Sequence, residues 1–171
     1  DSLSVSTDDL GNTGTGGAQT TNNAVIINVA FVNSAPTLTG ANDLGAIDED
    51  PTSNSGISVS ALIAANVTDP DPGAVSGIAV TAVDNTNGAW EYSTNGGTSW
   101  TALGSPSASS ARLLADNVNN FVRFVPNANW NGPVSNGLTF RAWDETSGAD
   151  GGTADTTTNG GTTAFSVATA S

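Results

Sequence analysis

Apolar residues in this chain never run long enough, or at the right spacing, to build an extended helix. They come instead in alternating stretches of roughly four to nine residues, each closed by Gly, Pro, Asn or Asp. Gly77–Val83 (GIAVTAV), Ala89–Ser93, Ser99–Leu103, Phe121–Val125 and Leu138–Trp143 are such stretches. Successive side chains of a strand point to opposite faces, so these segments can bury their apolar members only by stacking sheets. About seven short strands with turns between them predict an all-β fold, an antiparallel β-sandwich. Thr94-Asn95-Gly96-Gly97 between two of the strands reads as a hairpin turn, because Asn and Gly tolerate positive φ. The segment from Ile57 to Val67 and the short Ala111–Leu114 run fit a helical turn or a strand equally well.

Ala24–Pro36 (AVIINVAFVNSAP) is a strand that runs straight into a linker. Pro36 has no N–H for a ladder and holds Ala35 extended, so the chain continues onward instead of turning back. The two ends of the chain are also alike. Leu3–Asp9 (LSVSTDD) matches Leu138–Asp144 (LTFRAWD) at a spacing of 135, which also maps Gly16-Gly17 onto Gly151-Gly152. Ile27 and Val29 match Phe165 and Val167 at 138. Residues 1–33 therefore read as the closing strands of a preceding repeat, and 34–171 as the next module. Strand 24–32 is separated from its own module and is a candidate for donation to a neighbouring copy. The polar loops Gly11–Asn23 and Ser147–Thr163 are expected to be mobile.

Charge narrows the function. Sixteen acidic residues face three cations, Arg112, Arg123 and Arg141, for a formal net charge of −13. Such a surface repels nucleic acid and anionic membranes and attracts cations. With no Cys, His or Lys there is no disulfide, thiol nucleophile, His-based triad or Schiff-base amine. A carboxylate pair is the one catalytic device left, and nothing in the sequence pairs Glu91 with Asp116. The chain is read as non-enzymatic. No apolar run approaches the length of a transmembrane helix, and the chain is expected to be soluble and a piece of something longer.

Asp69-Pro-Asp71-Pro-Gly73 carries the most chemistry. Two carboxylates two residues apart, held in a Pro-rich turn, aim hard oxygens in one direction. That suits calcium, which takes six to eight oxygen ligands of mixed kind. The same residues are also ordinary turn formers. Asp144, at the end of a strand, joins them if both loops lie at one pole, with Asp9 its counterpart in the preceding repeat. Asp48-Glu49-Asp50 is a third acidic group, either a solvated turn or a ligand cluster with partners elsewhere.

Taken together, VNSAPTLTG, IDED, NVTDPDPGAVSGIAV, AWEYSTNGGTSW, FVRFVPNANWNG and LTFRAWDE resemble the cadherin-like repeats of large bacterial surface and secreted proteins. The resemblance spans about residues 33–145. It implies an all-β, antiparallel Greek-key β-sandwich of the cadherin-like, immunoglobulin-like kind, and a calcium-stiffened, adhesive or spacer module at the cell surface or outside the cell, partnered by neighbouring repeats or copies. By that resemblance Asp69 and Asp71 form the Asp-x-Asp pair, Asp144 is the strand-end acid, and Glu49 is the glutamate near the opposite pole. The linker Asn33-Ser34-Ala35-Pro36 departs from the pattern by lacking aspartates, although Asn33 can still supply an oxygen.

Four tryptophans raise a different function, a carbohydrate-binding module with partners among surface glycans. Alternation puts Trp90 and Tyr92 on one face, which suits core packing, and Trp143 is read the same way. Burying such rings contributes on the order of 2–3 kcal/mol each. Trp100 and Trp130 stay open as glycan contacts.

Overall fold

The computed structural model describes residues 2–8, 10, 15 and 20–171. Asp9 and Gly16-Gly17, and most of the first polar loop, lie outside the described residues. The chain divides into two compact units, Asp1–Val32 and Asn33–Ser171. The division falls one residue before the sequence boundary, because Asn33 bonds to groups of the second unit.

The first unit is a hairpin of β1 (Ser2–Asp8) and β2 (Thr20–Ile26), paired antiparallel from Ser2↔Ile26 to Asp8↔Thr20. Of the expected strand over 24–32, only Ala24 to Ile26 are laddered among the described residues. Val29 is 82% exposed, and Ile27, Phe31 and Val32 are exposed as well.

The second unit is all-β except for one short helix. Its elements are β3 (Thr37–Leu38), β4 (Ile57–Ser58), α1 (Val59–Ile63), β5 (Val67–Thr68), β6 (Gly77–Val83), β7 (Gly88–Ser93), β8 (Thr101–Ala102), β9 (Ala111–Ala115), β10 (Phe121–Pro126), β11 (Leu138–Trp143) and β12 (Thr153–Ala154). They form two four-stranded antiparallel sheets, β4-β10-β7-β8 and β11-β6-β9-β12, and a two-stranded pair, β3-β5. Both segments left open by periodicity are settled: α1 is helical, capped by Ser58 Oγ accepting from the Ala61 N–H at 3.1 Å, and 111–115 is a strand.

Alternation sorts the side chains. Val122 and Phe124 of β10 and Trp90 of β7 meet Ile78, Val80, Leu114 and Phe140 of the other sheet in the main core. Arg123, between Val122 and Phe124, points away and pairs with Glu91 at 2.7 Å. The hairpin turn after β7 forms as expected, with Gly96 and Gly97 at φ +71° and +79° and Ser93 Oγ accepting from the N–H groups of Asn95 and Gly97.

The β11-β6-β9-β12 sheet is buried on its other face too. Ala79, Ala111, Leu113, Trp143 and Phe165 make a second, smaller core there. Its cover is the 147–163 segment. Trp143 donates its indole N–H to the Ser147 carbonyl at 2.7 Å, and Leu113 exchanges backbone bonds with Gly151 and Gly152. At Gly148, φ is +83° and an added Cβ would stand 2.4 Å from Leu113, so only glycine lets the loop lie this close. A stretch whose composition suggests a free loop is therefore the lid of a core.

Residues 164–170 run antiparallel along β11, with Asp144 bonded to Ala164, Ala142 to Ser166, and Phe140 exchanging both backbone bonds with Ala170.

Candidate functional site

The linker enters the second unit at a pole built from four segments. In the 69–73 turn, Asp69 Oδ1 accepts the Asp71 N–H at 2.9 Å, and the Asp71 carbonyl accepts the Ala74 N–H. This is the self-bonded turn that Asp and Pro favour. It aims Asp71 at the linker: its Oδ2 accepts the Ser34 N–H at 2.7 Å. Asp69 Oδ2 is buried without a partner.

Asp144 directly follows β11 and is only 3% exposed. Its Oδ1 accepts from the N–H of Thr146 at 2.9 Å and from the Thr146 hydroxyl at 2.6 Å, while Oδ2 accepts the Asn33 carboxamide at 2.8 Å. The same Asn33 nitrogen reaches the Thr163 carbonyl at 3.2 Å. Ala35 N–H donates to Gly161 at 2.8 Å, and Pro36 is buried. Consecutive linker residues are thus gripped by two different aspartates. Each bond has a charged acceptor, the stronger class of hydrogen bond.

Next to Asp144, Glu145 feels three other carboxylates. Glu145, half-buried at φ +63°, is held above the usual carboxylate range by burial first, and then by the charges of Asp150, Asp116 and Asp144. Asp150 accepts from the N–H of Ala115 and from the carboxamides of Asn120 and Asn117, and Asp116 accepts the Ser76 hydroxyl at 3.3 Å. Glu145 and Asp150 do not emerge from strand patterning, since both sit in the polar segment after β11. The signal for them is local: Asp144, Glu145 and Asp150 fall within seven residues of a Gly-rich turn.

The candidate ligands do not all meet. Asn33, Asp71 and Asp144 are brought together through the linker, with Asp69 fixed beside Asp71. Glu49 is engaged elsewhere: it accepts the Asn131 carboxamide at 3.1 Å, while Asp50 accepts the Asn129 N–H. Among the described residues no three carboxylates are close enough to form a metal cluster by themselves.

Trp90 and Trp143 are core residues, 4% and 1% exposed. Trp100 is half-buried, with the Arg123 guanidinium 4.0 Å over its ring. Trp130 stands edge-on to Phe124 at 6.1 Å and packs against the main core.

No family model, curated protein or solved structure matches this chain.

Proposed function

We propose that this chain is a non-catalytic structural repeat of an extracellular, surface-exposed bacterial protein, acting as a spacer or adhesive element. Its modules are Greek-key sandwiches strung through short linkers, and the work of the site is mechanical. The observation that carries this reading is the double grip on the linker, Asn33 by Asp144 and Ser34 by Asp71. Charge-assisted bonds at successive residues to two separate loops hold Asn33 and Ser34 fixed on the second unit. The partners are neighbouring repeats or copies, not nucleic acid or membrane, in keeping with the charge of −13.

Calcium belongs to this proposal: the donor types at the pole suit it, but among the described residues no three carboxylates stand close enough to cluster, so the ion would have to draw Asp144 towards Asp69 and Asp71. The donors are oxygens alone, Asp69 Oδ2 is a buried carboxylate oxygen with no partner, and like charges crowd Glu145. Asp69, Asp71 and Asp144 would hold the ion, with Asn33 turning its carboxamide oxygen inward. The ion would supply neutralising charge and a rigid cross-link between linker and pole. Glu49, bonded to Asn131, has no part in it. A melting curve with and without calcium tests the idea. No change in the melting temperature at millimolar calcium ends the metal part of it.

The alternative is a carbohydrate-binding module using Trp100 and Trp130. Sugar platforms need an open aromatic face. Arg123 covers one face of Trp100, and Trp130 is spent partly on Phe124. Saturable quenching of tryptophan fluorescence by a polysaccharide would favour this alternative.

A further inference from the structure

Between β10 and β11 the chain makes a loop that is strapped by side chains to the loop before β4. Asp50 accepts the Asn129 N–H at 3.1 Å, and Glu49 accepts the Asn131 carboxamide at 3.1 Å. Asp50 and Asn129 both sit at positive φ, +49° and +57°, so the strap holds its loops in a shape from which they would otherwise relax. Trp130 lies between the two strapped residues, edge-on to Phe124 at 6.1 Å. Gly132 follows at φ +150°, and an added Cβ there would stand 3.2 Å from the Trp130 ring. Turn and ring together admit glycine at this place and little else.

Asn131-Gly132 is one of five Asn-Gly pairs in the chain, with Asn87-Gly88, Asn95-Gly96, Asn136-Gly137 and Asn159-Gly160. A glycine after asparagine leaves its backbone nitrogen unshielded. That nitrogen can attack the carboxamide carbon of the asparagine and close a five-membered imide. The other four pairs are held against this step. The Gly96 N–H donates to the Asn119 carbonyl at 2.9 Å, and the Gly160 N–H to the Phe165 carbonyl at 2.8 Å. Gly88 is laddered opposite Pro126. Gly137 is buried, with Val134 and Trp90 only 2.6 and 2.7 Å from where its Cβ would be. Asn131 and Gly132 are both exposed, and among the described residues the Gly132 N–H has no backbone partner. A single bond to Glu49 holds the carboxamide.

We propose that Asn131 is a site of spontaneous deamidation, a timer that releases the strap. The Gly132 nitrogen bonds to Asn131 Cγ as the carboxamide C–N bond breaks. Ammonia leaves with the proton of the Gly132 N–H, and water then opens the imide to aspartate or isoaspartate. The product faces Glu49 with a carboxylate in place of a donor, so attraction becomes repulsion between like charges. Isoaspartate also inserts an extra methylene into the backbone beside Trp130. The 129–131 loop then leaves the 48–50 loop, and Trp130 loses its seat on Phe124. Gly132 serves the packing of Trp130 and the lability of Asn131 at once, so the chain keeps the one only with the other. The inference rests neither on calcium nor on the structural-module reading.

The test incubates the full chain in warm, mildly alkaline buffer, folded and in denaturant, with samples taken over days. Chymotryptic mapping by mass spectrometry reads the mass gained as a carboxamide becomes a carboxylic acid. The peptide that follows Trp130 carries both Asn131 and Asn136, which fragmentation separates. In the folded chain Asn131 converts first and the other four lag, whereas in denaturant all five convert together. Tryptophan emission moves to the red as Asn131 converts, and Trp130→Phe abolishes that shift. Asn131→Asp shows the shift from the start, and adding Glu49→Gln, which reverses donor and acceptor, restores the wild-type emission. Asn131→Gln, which would have to close a larger ring, keeps its emission throughout. The proposal falls if another pair converts first in the folded chain, or if Asn131 keeps pace with the rest. It falls as well if Asn131→Asp emits like the wild type, or if Glu49→Gln fails to restore it.

Discussion

Asn33 and Asp144, 111 positions apart, meet through a 2.8 Å hydrogen bond from carboxamide to carboxylate. The bond ties the first residue of the second unit to the residue that follows β11, a strand of the main core. Removing it leaves a buried charge short of a donor, which costs about 1–3 kcal/mol. Asn33→Ala is expected to lose that much in chemical denaturation without calcium. Asn33→Asp is expected to be worse without calcium, from like charge beside Asp144, and to gain more than the wild type when calcium is added. Equal stabilities for the three proteins would remove Asn33 from the site.

Calcium that binds only the folded chain adds RT ln(1 + [L]/Kd), about 2.7 kcal/mol at a hundredfold excess over Kd. The melting temperature of the wild type should therefore climb with calcium. In Asp71→Ala, which loses the acid facing Ser34, most of the climb should vanish. Superimposed titrations for the two proteins would place the ion elsewhere.

Glu145 gives the pH dependence a sign. Its folded pKa is raised by burial and by Asp150, Asp116 and Asp144, so its ionised form works against the fold. For a raised acid, the contribution to stability is full below the unfolded value and is lost as pH rises through the folded one. Moving from pH 7 towards the ordinary glutamate range should thus recover stability at this residue. Glu145→Gln should be more stable than the wild type at pH 7, by an amount that shrinks towards acid. Denaturant midpoints measured across that range check it, and a constant difference would show that the neighbouring charges do not matter.

The tryptophans divide cleanly by depth. Trp90, its ring tilted 52° to that of Phe124 with centroids 5.4 Å apart, should cost about 3–5 kcal/mol as Trp90→Ala. Trp100→Ala should cost less, about 1–2 kcal/mol, the scale of a half-buried cation–π contact with Arg123. Comparable losses at both positions would mean that Trp100 anchors the sheet.

What was legible in the sequence is what alternation controls. Val122, Arg123 and Phe124 point in, out and in as their pattern predicts, and Gly96-Gly97 turns the hairpin. The Asp69–Asp71 turn also followed from its own residues. Less legible was anything decided by a partner distant in sequence. The 147–163 segment looks free because it has few large apolar residues, yet small residues are what let it lie on Leu113 and Trp143. Glu145 and Asp150 escaped because an acid in a polar loop is unremarkable until a fold crowds it.

All three arginines are already committed. Arg123 lies on Trp100 and Glu91, Arg112 on the ring of Tyr92 and the Gly151 carbonyl, and Arg141 on the carbonyls of Ser166 and Val167. None is left to meet an acidic group on another molecule, so two copies approach as like-charged bodies. Their encounter is opposed over the Debye length, about 10 Å at 0.1 M salt. Added electrolyte should consequently speed their meeting, the reverse of what steering between opposite charges produces, and brackish or saline surroundings would favour contact between copies where fresh water would keep them apart.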